Sequence, residues 1–598
     1  MHLTSSRLSR LALAVTAVLL AFVAIVQSAS AHGTDRTRQA IVTRMILRVH
    51  EASSEKKAET VTIPQVGKIS LNKVGIIKVH PKGESAHNVL VLEPGTSAAA
   101  AYFVPLAKSL VEATPGWQVW AVERRENFLE NQTELTKYKS GELAAEEENP
   151  NTKKEETPPE QFFNYYLGYL GQDQKEAEAE VFAKYVVTGL LAKEVSEKFG
   201  SAIANEAAAQ AKAELEKGEI DQEEAPKRFG EDAAAIGKKY GEKLGKQRGE
   251  EIFGELVAKY KNHYEPVRDS LVPFAKQWGM NRAVEDLKLV IAKAKALGGK
   301  VVLGGHSLGG SVVTAYATWD FGGKPGAEGL SGLVYDDGGS SPVAVSEEEA
   351  QKSLAKLDEP GETPWLAFGG ITAPDLGLFS VTGSTLTVAE PKGPSQLEKF
   401  PFLPPELKSP IAPVTNEAGF GYSVNVGTSP PSLIAAQIHG GQGVEEEPEG
   451  DGLHGWNSTG ALTPVQRYAE MLSGTGLREA SGSEWYFPAR LTLDTGAVGN
   501  GLANAAQGVL GLHSTMGEDL PKSLHILAID SELDKVFGGE QTSLTEAEDL
   551  AKQSGISPSN LTLIEVKSTY AHNDPAGATP SINAFFQHLV PYLKELAE

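Results

Sequence analysis

Cysteine is absent from this chain of 598 residues. Its absence excludes disulfides, zinc–thiolate sites, iron–sulfur clusters and cysteine nucleophiles. Positive charge is scarce as well, because 55 Lys and Arg stand against 78 Asp and Glu and leave a formal net charge of −23. Binding to phosphates requires clustered basic side chains, so we expect no nucleic-acid partner.

Motifs for metals and cofactors are also missing. The sequence has no HExxH or EF-hand spacing, and its glycine-rich stretches form neither a P-loop nor a dinucleotide-binding fingerprint. We therefore expect the protein to need no metal and no cofactor.

Long apolar runs are confined to the N-terminus. A positively charged start precedes an almost unbroken apolar run over 11–26, and Ala29-Ser30-Ala31 provides the small residues of a cleavage site. The run is short for a bilayer span, which takes about 20 residues. We predict a cleaved signal peptide over 1–31 and a secreted or extracytoplasmic mature protein without a transmembrane segment. A retained signal anchor is the alternative. Export without cysteine favours a bacterial protein.

Strand and helix patterns alternate through much of the chain. Residues 88–92 (NVLVL) form a short apolar run typical of a strand inside a parallel sheet. A helical pattern and a second strand pattern at 118–122 follow, which together indicate a βαβ unit. Further strand patterns lie at 41–49, 74–79, 300–303, 330–335, 524–529 and 561–566. The sequence therefore predicts an α/β fold with a mostly parallel sheet flanked by helices.

A charged stretch, 141–262, interrupts this alternation. It begins as a linker rich in Glu, Lys, Asn and Pro and continues over 172–261 with the Ala, Glu, Lys and Gln of exposed helices. A stripe of glycines spaced by four residues would let another helix approach closely; it consists of Gly237, Gly241, Gly245 and Gly249. We predict a water-exposed helical hairpin. A surface that contacts another protein or protomer is the alternative.

A second interruption covers 346–515. Within it, residues 360–431 hold 12 of the 33 prolines. Because proline breaks helix interiors and central strands, this density predicts irregular covering structure without long helices.

One glycine-rich turn carries a candidate nucleophile. Gly305-His306-Ser307-Leu308-Gly309 has the form G-x-S-x-G and lies between a β-branched strand pattern and a helix of small residues. That context is the strand–turn–helix of a nucleophile elbow, in which glycines allow the strained turn and the serine Oγ stands above the sheet edge.

With this motif the sequence resembles the α/β-hydrolase fold family of lipases and esterases. The resemblance covers 32–140, 263–345 and 516–598, and it makes 346–515 a cap inserted into the catalytic fold. It implies an oxyanion loop after the third strand, here Pro94-Gly95-Thr96-Ser97. The implied donors are the backbone N–H groups of Leu308 and of Thr96 or Ser97.

The family order of nucleophile, acid and histidine implies the other two catalytic residues. His572 follows the last strand pattern, where the histidine loop belongs, whereas His525 and His588 lie at the start of a strand and on the final helix. The acid belongs a few residues beyond the strand at 524–529, which favours Asp534. Four other carboxylates remain open: Asp530, Glu532, Asp336 and Asp337.

These residues predict an exported serine hydrolase that cleaves small carboxylic esters through an acyl-enzyme. A catalytically inactive hydrolase-fold envelope or binding protein is one alternative; a peptidase, thioesterase or perhydrolase is another. We expect short-to-medium acyl chains, since no contiguous apolar run marks an interfacial lid. The aromatic residues of the cap either form an acyl pocket or pack in the core; they are Trp365, Trp456, Trp485, Tyr486 and Phe487.

Overall fold

The computed structural model describes most of the chain. The described residues are 39–48, 59–63, 66–168, 188–222, 224–237, 260–359, 361–368, 371–400, 403, 407–425, 435–441, 443–448, 451–531, 542–566 and 570–598. The predicted signal peptide, 1–31, lies outside them. Within the described part, no helix combines the length and apolar character needed to cross a bilayer.

An eight-stranded sheet forms the centre of the molecule. In chain order, β1–β8 are Ala40–Arg48, Lys73–Pro81, Asn88–Glu93, Trp117–Glu123, Val301–His306, Gly332–Asp336, His525–Ser531 and Leu561–Val566. Across the sheet the order is β1-β2-β4-β3-β5-β6-β7-β8. Strand β2 is antiparallel to β1 and β4, and every other neighbouring pair is parallel. The predicted fold class is confirmed.

Burial on both faces explains the composition of the central strands. Strands β5 and β6 are buried along their whole length, so they lack the alternation of polar and apolar residues seen in half-exposed strands. Because parallel strands end at the same edge, the loops after β3, β5, β6 and β8 come together there. That edge carries the candidate site.

Helices cover the sheet and build the cap. In chain order, α1–α15 are Val104–Ala113, Thr133–Ser140, Pro158–Tyr166, Thr188–Lys217, Met280–Lys295, Leu308–Ala317, Glu347–Asp358, Ala373–Ala389, Asn416–Val424, Val465–Ser473, Ala489–Val498, Ala505–Leu510, Thr542–Ser554, Asp574–Gly577 and Ala584–Ala597. Three short ribbons pair Thr60–Ile63 with Gly67–Ser70, Glu147–Glu148 with Glu155–Glu156, and Ala367–Phe368 with Ile371–Thr372.

The proline-rich part of the cap is more helical than its composition predicted. Helix α8 runs for 17 residues, Ala373–Ala389, so the expectation that this part lacks long helices was wrong. The prolines fall around the helix, and the single one inside it, Pro374, lies in the first turn. A proline is tolerated there because its missing N–H would have no intrahelical acceptor.

The charged insertion contains three described helices: α3 near its start, then α4 and a further stretch over 225–237. Arg228 on this further stretch donates to Glu214 on α4, with Nε–Oε2 and Nη2–Oε1 distances of 2.8 and 3.0 Å. The same two helices bury apolar side chains, among them Ala207, Ala211 and Ile236. Of the glycine stripe, Gly241, Gly245 and Gly249 lie outside the described residues.

Candidate active site

Ser307 occupies the sharp turn between β5 and α6. Its φ of 56° and ψ of −129° are unusual for a residue with a side chain. The Ser307 N–H donates to the Asp336 carbonyl at 2.9 Å, and the Ser307 carbonyl accepts from the Gly310 N–H at 2.8 Å. These backbone hydrogen bonds hold a conformation that costs roughly 1–3 kcal/mol.

The glycines of the motif are required by close backbone contacts. A Cβ on Gly305 would overlap the Gly309 carbonyl, and a Cβ on Gly309 would overlap the Glu93 carbonyl at the end of β3. The turn therefore brings β5, α6 and β3 closer together than side chains would allow. Leu308 begins α6, so its N–H is among the first four amides of that helix, which have no intrahelical acceptor.

The loop after β3 passes directly over Ser307. A Cβ on Gly95 would lie 2.8 Å from Ser307 Cβ and 3.3 Å from Ser307 Oγ. Ser97 has a positive φ of 55°, and Thr96 and Ser97 line the same cleft as Ser307. The structure thus brings the sequence-predicted oxyanion loop and the sequence-predicted nucleophile together.

His572 lines the same cleft from the loop between β8 and α14 and is 7% exposed. His306, which precedes Ser307 in the chain, contacts His572 through a 2.7 Å hydrogen bond from His306 Nε2 to the His572 carbonyl. Burial lowers the pKa of His306 well below its usual range, which favours the neutral ring. Because the partner of Nε2 is a carbonyl oxygen, Nε2 is the nitrogen that carries the proton. Tyr102 stacks on His306 and donates from its hydroxyl to Asn573 Oδ1 at 2.9 Å.

Among the described carboxylates, Asp337 lies beside His572. Its Oδ2 is 4.0 Å from His572 Nδ1, and its carboxylate accepts from the N–H and the hydroxyl of Ser531 at 2.5 and 2.7 Å. Asp530 instead accepts from the Ser543 and Leu544 N–H groups at the start of α13.

Three carboxylate candidates remain, and one of them, Asp336, lies within the described residues. Asp336 contributes its backbone carbonyl to the Ser307 turn. Asp534 and Glu532 lie outside the described residues.

The cap supplies the remaining walls of the cleft. Gly377 and Ser380 of α8, Tyr468 and Leu472 of α10, and Ser483 face it. Sequence patterns did not predict these residues, because residues that meet in the cleft lie up to hundreds of positions apart along the chain and small side chains belong to no motif.

The aromatic residues considered for an acyl pocket lie elsewhere. Trp485, Tyr486 and Phe487 are buried in the core, and none of them is among the residues that line the cleft.

No family model matches the chain, and no curated protein matches its sequence. Several solved structures are similar. A provisionally named lipase from Sulfolobus solfataricus is 12% identical, and the match covers 93% of this chain and 95% of that one with a TM-score of 0.37. A soluble variant of monoglyceride lipase from Saccharomyces cerevisiae is 10% identical over 88% and 92% of the two chains, with a TM-score of 0.30. The thioesterase domain from the curacin biosynthetic pathway is 10% identical over 92% and 99%, with a TM-score of 0.31.

The order and direction of the eight strands and the strained strand–turn–helix at Ser307 identify the architecture independently of these similarities. The fold of this chain is that of the α/β-hydrolases.

Proposed function

We propose that this chain is a serine hydrolase that cleaves small carboxylic esters through an acyl-enzyme. The observation that carries the proposal is that three parts line one cleft at one edge of the sheet: the strained Ser307 turn, the Gly95 loop beside it, and His572. A strained serine turn is a costly arrangement, and it is characteristic of an exposed nucleophile.

In the proposed reaction, Ser307 Oγ attacks the acyl carbon while His572 accepts the hydroxyl proton. The N–H groups of Leu308 and of Thr96 or Ser97 stabilise the oxyanion of the tetrahedral intermediate. His572 returns the proton to the leaving alcohol. Water then attacks the acyl-enzyme with His572 again as the base, which releases the carboxylic acid and free Ser307. Asp337 is the carboxylate that orients the imidazole and stabilises its charged form.

A fluorophosphonate probe tests the nucleophile. We expect it to label the protein at Ser307 and to inhibit hydrolysis of p-nitrophenyl acetate, and Ser307→Ala should remove both activities. Ser311→Ala is the matched control, because Ser311 lies one turn further along α6 and donates to the Gly339 carbonyl. A wild-type protein that is folded but neither labels nor hydrolyses any ester would contradict the proposal and favour a binding role.

The many small residues and the two tyrosines of the cleft favour short-to-medium acyl chains. Gly377, Ser380 and Ser483 are small, and Leu472 is the one large aliphatic side chain among the described residues that line the cleft. Rates on acetate, butyrate, octanoate and palmitate esters measure this preference. Higher activity on emulsified triglyceride than on soluble esters would contradict it, and parallel assays with acyl thioesters separate the two ester classes.

We also propose that the protein is exported and that a signal peptidase removes residues 1–31. The charged start, the short apolar run and the Ala29-Ser30-Ala31 site support this. N-terminal sequencing of the protein secreted by a bacterial host should begin at His32. A mature chain that still begins at Met1 would instead favour the retained anchor.

A further inference from the structure

Arg124 is a buried side chain that contacts the Gly95 loop from behind. It follows the last residue of β4 and is 5% exposed. Its guanidinium donates to three carbonyls of the loop: Nη1 to Pro94 at 2.8 Å, and Nη2 to Gly95 and Ala98 at 3.0 and 2.8 Å. A planar guanidinium holds several acceptors in fixed directions, which an ammonium group on a flexible stem does not.

Glu484, from the cap, completes this arrangement. Its carboxylate accepts from Arg124 Nη2 at 2.5 Å and from Arg124 Nε at 3.4 Å. Its own N–H donates to the Ser97 carbonyl at 2.9 Å, and the Ala99 N–H donates to the Gly482 carbonyl at 2.9 Å. The loop is therefore fixed by Arg124 on one side and by a strand-like segment of the cap on the other.

Other carboxylates surround Arg124 but contact it less closely. Glu126 Oε1 lies 3.3 Å from Arg124 Nε, and Glu93 Oε2 lies 3.9 Å from Arg124 Nη1. Burial raises the pKa of Glu93 to about 8, and the Arg124 guanidinium opposes this shift. Glu484 makes the shortest of these contacts.

The peptide group explains why holding carbonyls matters for catalysis. In a trans peptide the C=O and the following N–H point in opposite directions. The Gly95 carbonyl points at Arg124, so the Thr96 N–H points away from Arg124. Thr96 and Ser307 both line the cleft, which Arg124 does not. If the Gly95 carbonyl rotated, the Thr96 N–H would lose its direction towards the reacting oxygen.

We propose that Arg124 and Glu484 are positioning residues for the oxyanion hole, with the cap serving as part of the catalytic framework. This inference rests on the proposed ester hydrolysis. Neither side chain lines the cleft, so both act through the backbone of the loop and touch no substrate.

Arg125 provides a matched control for the general cost of disturbing a buried ion pair. It is 1% exposed, and it donates to both carboxylate oxygens of Asp286 and to Glu59. Its neighbour Arg124 contacts the catalytic loop, whereas these hydrogen bonds of Arg125 lead away from it.

The experiment compares Arg124→Lys with Arg125→Lys in the full chain. We measure kcat and KM on p-nitrophenyl acetate, the affinity for an alkylboronic acid that adds to a serine Oγ as a tetrahedral adduct, and the urea unfolding midpoint. Both variants should unfold at lower urea. Only Arg124→Lys should lose about 100-fold in kcat, the cost of displacing a catalytic group by about 1 Å, with a parallel loss of boronate affinity and little change in KM.

Glu484→Gln covers the case in which Arg124→Lys does not fold. It keeps the shape of the side chain and should lower kcat by a smaller factor than Arg124→Lys does, again with KM nearly unchanged. Retention of wild-type kcat by a folded Arg124→Lys, or equal kcat losses in the Arg124 and Arg125 variants, would overturn the inference. If the wild type hydrolyses no ester, the proposed function fails instead, which is a separate result.

Discussion

Gly95 shows how one missing side chain keeps the site open. Its Cα faces Ser307 so closely that a Cβ would stand 2.8 Å from Ser307 Cβ, a separation that packed side chains do not adopt. We expect Gly95→Ala to fold with an unfolding free energy about 1–3 kcal/mol below wild type, since Gly95 is buried and the overlap forces its loop to shift. Its kcat should fall by about 100-fold because the loop must move away from the nucleophile.

Ester hydrolysis and urea unfolding check this expectation together. Gly508→Ala is the control, because no atom lies within 4 Å of a Cβ placed there, and helix α12 should gain about 0.5–1 kcal/mol from the change. Wild-type kcat in Gly95→Ala would mean that the loop is not held against Ser307.

A second question about single residues is which carboxylate acts as the acid of the proposed triad. Replacing a triad aspartate by asparagine favours the wrong histidine tautomer and costs on the order of 10⁴-fold in kcat. We expect this loss in Asp337→Asn, because Asp337 lies beside His572 Nδ1, and near-normal kcat in Asp534→Asn. The reverse pattern would assign the acid to Asp534, the residue that the family order favours.

Glu93 illustrates how burial couples one carboxyl group to pH. Burial raises its pKa from 4.5 to about 8, with Arg124 opposing and Glu126 and Asp286 adding to the shift. Between these values the folded state keeps a proton that the unfolded state has released. This contribution to stability is therefore complete below about pH 4.5 and is lost as pH rises through about 8.

Glu93→Gln should remove this contribution. Between about pH 5 and pH 8, the fall in unfolding free energy with rising pH should become shallower by about 1.4 kcal/mol per pH unit, the value for one proton. Urea titrations across this range measure both slopes, with Glu348→Gln on exposed α7 as the control for losing one charge. Identical slopes in Glu93→Gln and wild type would show that Glu93 is ionised in the folded protein.

At the scale of elements, the histidine loop is tied to the cap by Asp574. Its carboxylate accepts from the Ala571 N–H at 2.6 Å, the Gln437 N–H at 3.0 Å and the Thr463 hydroxyl at 2.6 Å. We expect Asp574→Ala to lower the unfolding free energy by about 3 kcal/mol, since it leaves buried donors without their acceptor, and to lower kcat by releasing His572.

Thr463→Val is the graded control for Asp574→Ala, because it removes one donor and keeps the acceptor. It should cost about 1 kcal/mol and leave kcat close to wild type. Urea unfolding and ester hydrolysis measure both effects. If Asp574→Ala loses stability without losing kcat, His572 does not depend on this anchor.

Sequence patterns predicted elements whose causes are local. The strand before Ser307 and the glycines around it interact with close neighbours along the chain, so their composition predicts the turn. Helix α8 was missed because proline density counts residues without their positions, and only Pro374 lies inside the helix. The buried pair of Arg124 and Glu484 was also missed, since charged side chains are expected at the surface and these partners are 360 positions apart.

At the scale of the whole molecule, the two ends of the helical part of the charged insertion, 172–261, lie close together. The Tyr264 N–H donates to the Tyr165 carbonyl at 2.8 Å, on either side of this part. A short linker can therefore close the gap at little entropic cost. We expect replacement of 172–261 by a Gly/Ser linker to leave a folded protein whose Ser307 still reacts with a fluorophosphonate.

The deletion is checked by circular dichroism, labelling and ester hydrolysis. Replacing 465–485 instead should abolish labelling, because that segment contains Tyr468, Leu472 and Ser483 of the cleft wall and the Glu484 partner of Arg124. A folded protein that loses all activity when 172–261 is replaced would show that the insertion takes part in the site.

The long separations along the chain also determine when activity can arise. During synthesis the Gly95 loop emerges early, but Glu484 follows Arg124 by 360 residues, and His572 follows His306 by 266. A nascent chain therefore contains the proposed nucleophile Ser307, without His572, while residues 308–572 are translated, which is nearly half of its synthesis. The proposed hydrolysis could begin only when nearly all of the polypeptide has been translated, so its appearance would report that translation and folding are complete.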